Sequence, residues 1–408
     1  MSLYDKASIA LIPSGFKATS GNLGKVYSVL PANGNGDFTH GRGSTATRVN
    51  KDGLIESVAI GEARLDYPLT SGVVGDCPHL LLEPSRTNSL TYSTLAFNGG
   101  STPTGWVVGF GTGTFSHTET TYKGQGAVKH TQSTTGRSYL SETISLSAST
   151  TYILRVEFDR NNSSLDDNDY IVSIANMSNS FSKQWADVDD DGILEVQFTT
   201  GTDAYGELRL GFGVAGNEDG GKTIVFSMPQ IEAGSYATSY IPTTSSSVTR
   251  SADVCNGSGT SAEFNDSEGV LFVEFKGFTD TDVSNRYITI SDGTISNSIG
   301  IQLRNSGELR LYNNGTVTAN MIYRDAYADL TQNFKIAIKY GNSTSDYKVY
   351  INGVSKTIAS GFTATSISGL DVLNFHYASN TLYFYGLVKQ AMVFNEALTD
   401  SELATLTS

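Results

Sequence analysis

Short runs that alternate apolar and polar residues constrain this chain more than any other feature. Thr151-Tyr-Ile-Leu-Arg-Val-Glu-Phe158 sends Tyr152, Leu154, Val156 and Phe158 to one side and Ile153, Arg155 and Glu157 to the other. A period of two is the mark of a half-buried strand. Ile193–Phe198, Glu207–Phe212 and Thr223–Met228 repeat it with turn residues between, which predicts a sandwich of antiparallel sheets. A second set follows at Val270–Phe275, Tyr287–Ile290, Ile299–Leu303, Glu308–Tyr312, Phe334–Tyr340 and Tyr347–Ile351. Asn352-Gly353 then reads as a type I′ hairpin turn, because both residues tolerate positive φ. Tyr383–Phe394 is apolar enough for a central strand. Thr399-Asp-Ser-Glu402 has capping-box spacing and predicts one helical turn over Glu402–Leu406. Abundant glycine (42) and sparse proline (8) agree with short strands and tight turns. The expected class is all-β.

A length of 408 residues exceeds what one core usually serves. Residues 1–88 lack long periodic runs and are punctuated by glycine and asparagine, as in Pro31-Ala-Asn-Gly-Asn-Gly-Asp37. Alternating runs dominate residues 89–243, and the Ser/Thr-rich joint Pro242–Arg250 leads to a third stretch, 244–408. The expected plan is two antiparallel β-sandwich (jelly-roll) domains preceded by an irregular, glycine-rich N-terminal region. Residues 244–408, with strands from Val270 to Phe394, are expected to fold without a strand from upstream. The apolar pieces Ser8–Ile12 and His79–Leu82 need a surface to pack on, which a partner chain, another copy or a neighbouring domain is expected to supply.

A net charge of −14 disfavours nonspecific contact with nucleic acid or an anionic membrane, since both are polyanions. No eighteen-residue apolar window exists, and Ala7–Pro13 lacks a basic leader, so neither membrane insertion nor Sec export is expected. Cys77 and Cys255 lie far apart and read as free thiols. His40, His79, His117, His130 and His376 include no pair at helical ligand spacing.

Two resemblances can be named from particular residues. Phe334-Lys-Ile-Ala-Ile-Lys-Tyr340, Lys348-Val-Tyr-Ile-Asn-Gly353 and the run Tyr385–Leu403 resemble the closing strands of concanavalin A-like and laminin G-like sandwiches. Leu80-Leu-Leu-Glu-Pro-Ser-Arg-Thr-Asn88, Gln230-Ile-Glu-Ala-Gly-Ser-Tyr-Ala-Thr-Ser-Tyr-Ile-Pro-Thr243 and Val248-Thr-Arg-Ser-Ala-Asp253 resemble virion proteins of tailed bacteriophages. In those proteins such motifs recur beside a carbohydrate-module-like jelly roll and a terminal lectin-like sandwich. The resemblance implies a fibre, tail or capsid-surface component, made in the host cytoplasm and carried on the virion surface. Its implied partners are other virion chains, host-surface glycans and further copies of itself, trimers being the commonest fibre arrangement.

Candidate site residues each carry two readings. Trp106 and Trp185, with Gln184 beside the latter, suit a pyranose face and its hydroxyls; a core tryptophan is the competing reading. Tyr377, Tyr383 and Tyr385 are candidates for an exposed glycan-binding face of the third stretch, with core placement as the alternative. Asp187, Asp189 and Asp191 alternate before Gly192 as in the first half of a calcium loop. Phe198 stands where that loop needs glutamate, and an acidic solvated turn is the competing reading. Calcium is the one cofactor considered. Arg42 and Arg48 are candidate attachment contacts to an acidic virion neighbour, against an internal ion pair or plain solvation.

A catalytic reading needs paired carboxylates or a nucleophile with its base. Glu157-Phe-Asp159 begins an ExDxxE string, but Asn162 ends it, and neither a GxSxG nor a GxxxxGK[ST] motif is present. The chain is therefore read as non-enzymatic, and the resemblance implies a structural or adhesion protein of a phage particle that displays lectin-like domains for weak multivalent glycan binding. Its rivals are a purely architectural capsid or tail component and a polysaccharide-degrading tail spike, whose long β-helix repeats are not seen here.

Overall fold

The computed structural model describes residues 2–15, 24–109, 114–215, 219–278, 285–304, 306–313, 321–327, 329, 331–377 and 380–408. They form the expected all-β protein with two antiparallel sandwiches. In the middle sandwich, one sheet runs in the order Phe115–Tyr122, Gln125–Gln132, Lys222–Ala233, Thr151–Phe158, Ile193–Thr199. The facing sheet runs Val107–Val108, Ser138–Ser145, Tyr205–Phe212, Tyr170–Ala175, Phe181–Gln184. Leu154, Val156 and Phe158 meet Leu140, Val172 and Leu208 between them, so the period-two pattern delivered its apolar side to the core.

The terminal sandwich departs from expectation. Its five-stranded sheet is local, in the order Met321–Ala326, Glu308–Asn313, Ser298–Leu303, Arg286–Ser291, Val372–Asn374. The sheet facing it borrows strands from far upstream. Gly386–Phe394 pairs along one edge with Glu268–Gly277; along the other it pairs with His79–Leu82 near its start and Ile9–Leu11 near its end. Arg64–Asp66 extends the sheet beyond His79–Leu82, and Val254–Asn256 joins Phe38–Gly41 in a small separate sheet. Ile9, Leu11, Val26, Phe38, Leu80 and Leu82 belong to the same core as Leu271, Ile301 and Val393. The expectation that strands from Val270 onward need no upstream partner is therefore corrected: the surface that His79–Leu82 and Ser8–Ile12 require is the third stretch of their own chain.

The other face of the larger sheet is covered by the helix Asp400–Thr407, which is longer than the single turn expected. Its Thr399 and Glu402 form the capping box read from the sequence. Leu403 packs with Val270, Phe272 and Phe394 beside Ala7 and Ala10, and Lys6 is ion-paired with Glu402. Asn352 and Gly353 take φ of 49° and 78°, as a type I′ turn demands. Tyr383–Tyr385 precede the closing strand, which begins at Gly386. No described helix is long and apolar enough to cross a membrane.

Candidate functional site

The five-stranded sheet of the terminal sandwich turns Ile288, Ile290, Ile299, Ile301, Leu309 and Leu311 inward. Alternation sends the residues between them to the opposite face, and the register assembles two rows there. Tyr287 stands opposite Gln302, which stands opposite Arg310. Asn374 stands opposite Thr289, then Gly300, then Tyr312. A Cβ on Gly300 would lie 2.6 Å from the Tyr312 hydroxyl, so glycine is what seats that ring.

Of the three candidate tyrosines, Tyr377 joins these rows. Its ring centroid lies 4.4 Å from Tyr287 and 6.5 Å from Tyr312, and Tyr287 and Tyr312 are 6.0 Å apart. Tyr312 is fully buried while Tyr377 is only half-buried, so the cluster has a floor and an accessible upper ring. The Gln302 amide donates to the Tyr287 hydroxyl at 2.5 Å, and its carbonyl oxygen, though buried, has no partner among the described residues. Burial, then the neighbouring Tyr377, pushes the Tyr287 phenol up to about 12, so it stays a neutral donor. Tyr383 lies edge-on to His376 at 5.4 Å and its hydroxyl donates to Asn380. Tyr385 is half-buried and does not enter the tyrosine cluster; burial raises its phenol to about 12. Aromatic faces beside an amide and hydroxyls are the components of a saccharide site. Tyr287, Gln302 and Tyr312 escaped sequence reading because cross-strand register is not visible within one run; a lone glutamine between Ile301 and Leu303 was the available signal.

The other candidates fall elsewhere. Trp106 is 3% exposed and its indole donates to the Tyr92 carbonyl at 2.7 Å; Trp185 is 6% exposed, edge-on to Phe158 and beneath Arg160. Both are core residues. Gln184 donates to the Asn168 carbonyl and caps the turn Trp185–Asp187. The three aspartates do not converge: Asp187 accepts from the Gln184 amide, Asp189 from the Ile193 amide at 2.7 Å, and Asp191 from the Gly72 amide at 2.5 Å. Among the described residues no group of three or more His, Cys, Asp or Glu is placed to hold a metal ion. Glu157 is neutralised by Lys123 and Arg155, each at 2.8 Å, while Asp159 caps the turn Arg160–Asn162.

Arg42 is not presented to a neighbour, because its side chain is buried and bonds Asp253 at 3.1 Å. Arg48 pairs with Glu56 opposite it in the hairpin Ala46–Val49/Ile55–Val58. Around Asp253, the motifs 80–88, 230–243 and 248–253 meet. Arg64 bonds Glu83 at 2.6 Å, the Ser239 hydroxyl at 2.7 Å and Asp253; Arg250 bonds Glu83 at 2.7 Å and the Pro84 carbonyl at 2.6 Å. Ser239 donates its amide to Glu83, and Asn88 donates to the Ile241 carbonyl. Burial pushes Glu83 and Asp253 up, but the arginines outweigh it and hold both carboxylates below their usual range. These motifs are the joint that locks the first stretch to both sandwiches.

No family model matches the chain, and no curated protein matches it. Among solved structures it is similar to the Ruminococcus gnavus IT-sialidase module CBM40, at 16% identity and a TM-score of 0.29 over 38% of this chain and 94% of that one. It is likewise similar to domain 4 of AbnA, a GH43 extracellular arabinanase from Geobacillus stearothermophilus, in complex with arabinotriose (16% identity, TM-score 0.30, 38% and 73% covered). The NanB sialidase from Streptococcus pneumoniae follows at 16% identity and 0.26, with 35% and 24% covered. At these scores the likenesses assign the chain no activity, and its function rests on its own geometry.

Proposed function

We propose that this chain is a non-catalytic adhesion and structural protein on the surface of a bacteriophage particle, where its terminal sandwich binds glycans. The observation that carries the glycan half is the tilted contact of Tyr377 with Tyr287, beside a Gln302 carbonyl that is buried without a partner among the described residues. A pyranose offers C–H groups to an aromatic face and hydroxyls to an amide, which matches this pairing. One such contact is weak, and many copies on one particle turn it into useful avidity.

The phage half rests on the three motifs shared with virion proteins. Their convergence on one buried joint gives a physical reason for such motifs to recur together: Glu83 of the first is neutralised by Arg250 of the third, and Ser239 of the second donates its amide and hydroxyl to Glu83. Neighbouring virion chains and further copies, with trimers favoured, are the partners of this reading, and the virion surface its location.

A glycan array probed with the full-length protein, multimerised on beads, tests the glycan half. Binding that is lost in both Tyr377→Ala and Gln302→Ala supports it. An array without a bound glycan returns the protein to a purely architectural role, and release of reducing ends from a polysaccharide would make it a degrading spike. A density map of purified virions tests the particle assignment.

A further inference from the structure

The middle sandwich carries a polar row on the outside of its second sheet. Leu140, Val172, Ile174, Leu208 and Leu210 face the core, so Ser141, Ser173 and Arg209 face away from it. The register lines them up: Ser141 opposite Arg209, Arg209 opposite Ser173, and Ser173 opposite Ser182. One arginine thus lies among three of the shortest hydroxyl side chains. Its guanidinium carbon sits 5.1 Å from the centre of the Tyr139 ring, and Gly109 packs so closely on that ring that a Cβ would come within 1.9 Å of it. Glu207 accepts from Nε at 3.0 Å. No described residue accepts from Nη1 or Nη2.

A second, independent observation points the same way. Ser173 is 2% exposed, yet its hydroxyl has no hydrogen-bond partner among the described residues. Buried hydroxyls are almost always satisfied, so an orphan beside an open guanidinium edge marks a place for an acceptor from outside. The Nη1/Nη2 edge is planar and matches the two oxygens of one carboxylate.

We infer that the row Ser141, Arg209, Ser173 is a second binding site, which takes the carboxylate of an acidic saccharide of the uronic-acid class. The fork donates twice to the carboxylate, and Ser173 exchanges a hydrogen bond with a ring hydroxyl or the carboxylate itself. This site extends the glycan-binding reading to another sandwich and uses none of the terminal tyrosines.

Saturation-transfer NMR of the full-length protein with trigalacturonate and with its fully methyl-esterified form tests it. The free acid is expected to bind at least ten-fold tighter than the ester. Arg209→Lys, which keeps the charge and loses the fork, and Arg209→Gln are both expected to abolish that preference, while Tyr377→Ala leaves it intact. Ser173→Ala removes only the orphan hydroxyl and is expected to weaken the acid several-fold without changing the melting temperature. Absence of acid binding, equal binding of acid and ester, or a preference that survives Arg209→Gln and Ser173→Ala overturns the inference. A preference lost in Tyr377→Ala would move the site to the terminal sandwich and overturn it equally, whereas failure of the terminal site alone leaves the acid preference standing.

Discussion

Arg64 and Asp253, 189 residues apart in the chain, form an ion pair in which neither side chain reaches solvent. Asp253 also accepts from Arg42, and Arg64 also donates to Glu83, so each charge is held from two sides. Such a network contributes little against an apolar replacement of the whole, but removal of one member leaves its partners buried and charged.

Asp253→Asn is accordingly expected to destabilise the protein by about 3–5 kcal/mol. Urea titration followed by tryptophan fluorescence measures it. A loss below about 1 kcal/mol, the level of an exposed pair, would mean that the joint is hydrated.

Residues 244–408 expressed alone are expected to lack a cooperative melt. That fragment exposes the edge of Gly386–Phe394 and the core surface that Ile9, Leu11, Leu80 and Leu82 cover. Thermal unfolding by circular dichroism decides it; a sharp transition near that of the whole chain would show that the upstream strands are dispensable.

Stability should begin to fall as pH drops below about 6.5, the unfolded value of histidine. His117 and His130 stand opposite each other with ring centres 4.6 Å apart, and burial holds them down to about 4 and about 3, the His117 neighbour adding to the effect on His130. The unfolded chain binds protons that the native pair refuses. Their contribution is thus complete above an unfolded pKa of about 6.5 and is lost as pH falls through about 4. Urea midpoints at pH 7.5, 5.5 and 4.5 should decline in the native protein and less steeply in His117→Leu. Parallel declines would remove this pair from the account.

Trp106→Ala is expected to cost about 3–5 kcal/mol, as deletion of a buried aromatic does, while glycan binding by the folded fraction is unchanged. Denaturant titration beside the array separates the two effects. Altered glycan specificity at full stability would return Trp106 to the binding surface.

Equal melting temperatures are expected in chelator and in millimolar calcium, since Asp187, Asp189 and Asp191 accept from amides of the turn and of Gly72. A calcium-dependent rise would mean that these turns rearrange around an ion.

Runs long enough to show a period were legible in the sequence. Thr151–Phe158 alternates over eight residues, and Thr399 with Glu402 announces a helix start, because both signals are local. Arg64–Asp66 and Ile9–Leu11 are three residues each, too short for any periodicity, and their strand character comes wholly from partners far along the chain. The candidate site was legible only in Tyr377. Tyr287 and Gln302 face each other through a register that turns and bulges set, and no single run contains it. Arg42 looked available because it sits among glycines; the acid that buries it lies 211 positions away.

The borrowed strands impose an order on biosynthesis. Ser8 bonds a carbonyl 385 positions downstream, on the strand that closes the larger sheet. At about 5–20 residues added per second, the first strands wait on the order of 20–80 s for that strand to leave the ribosome. The middle sandwich, whose strands all lie between Val107 and Ala233, can complete its core in that interval. Ile9 and Leu11, and the edge of His79–Leu82 that Arg64–Asp66 does not pair, meanwhile stay open and apolar, so the nascent chain is most exposed to aggregation or chaperone capture until Gly386–Phe394 emerges.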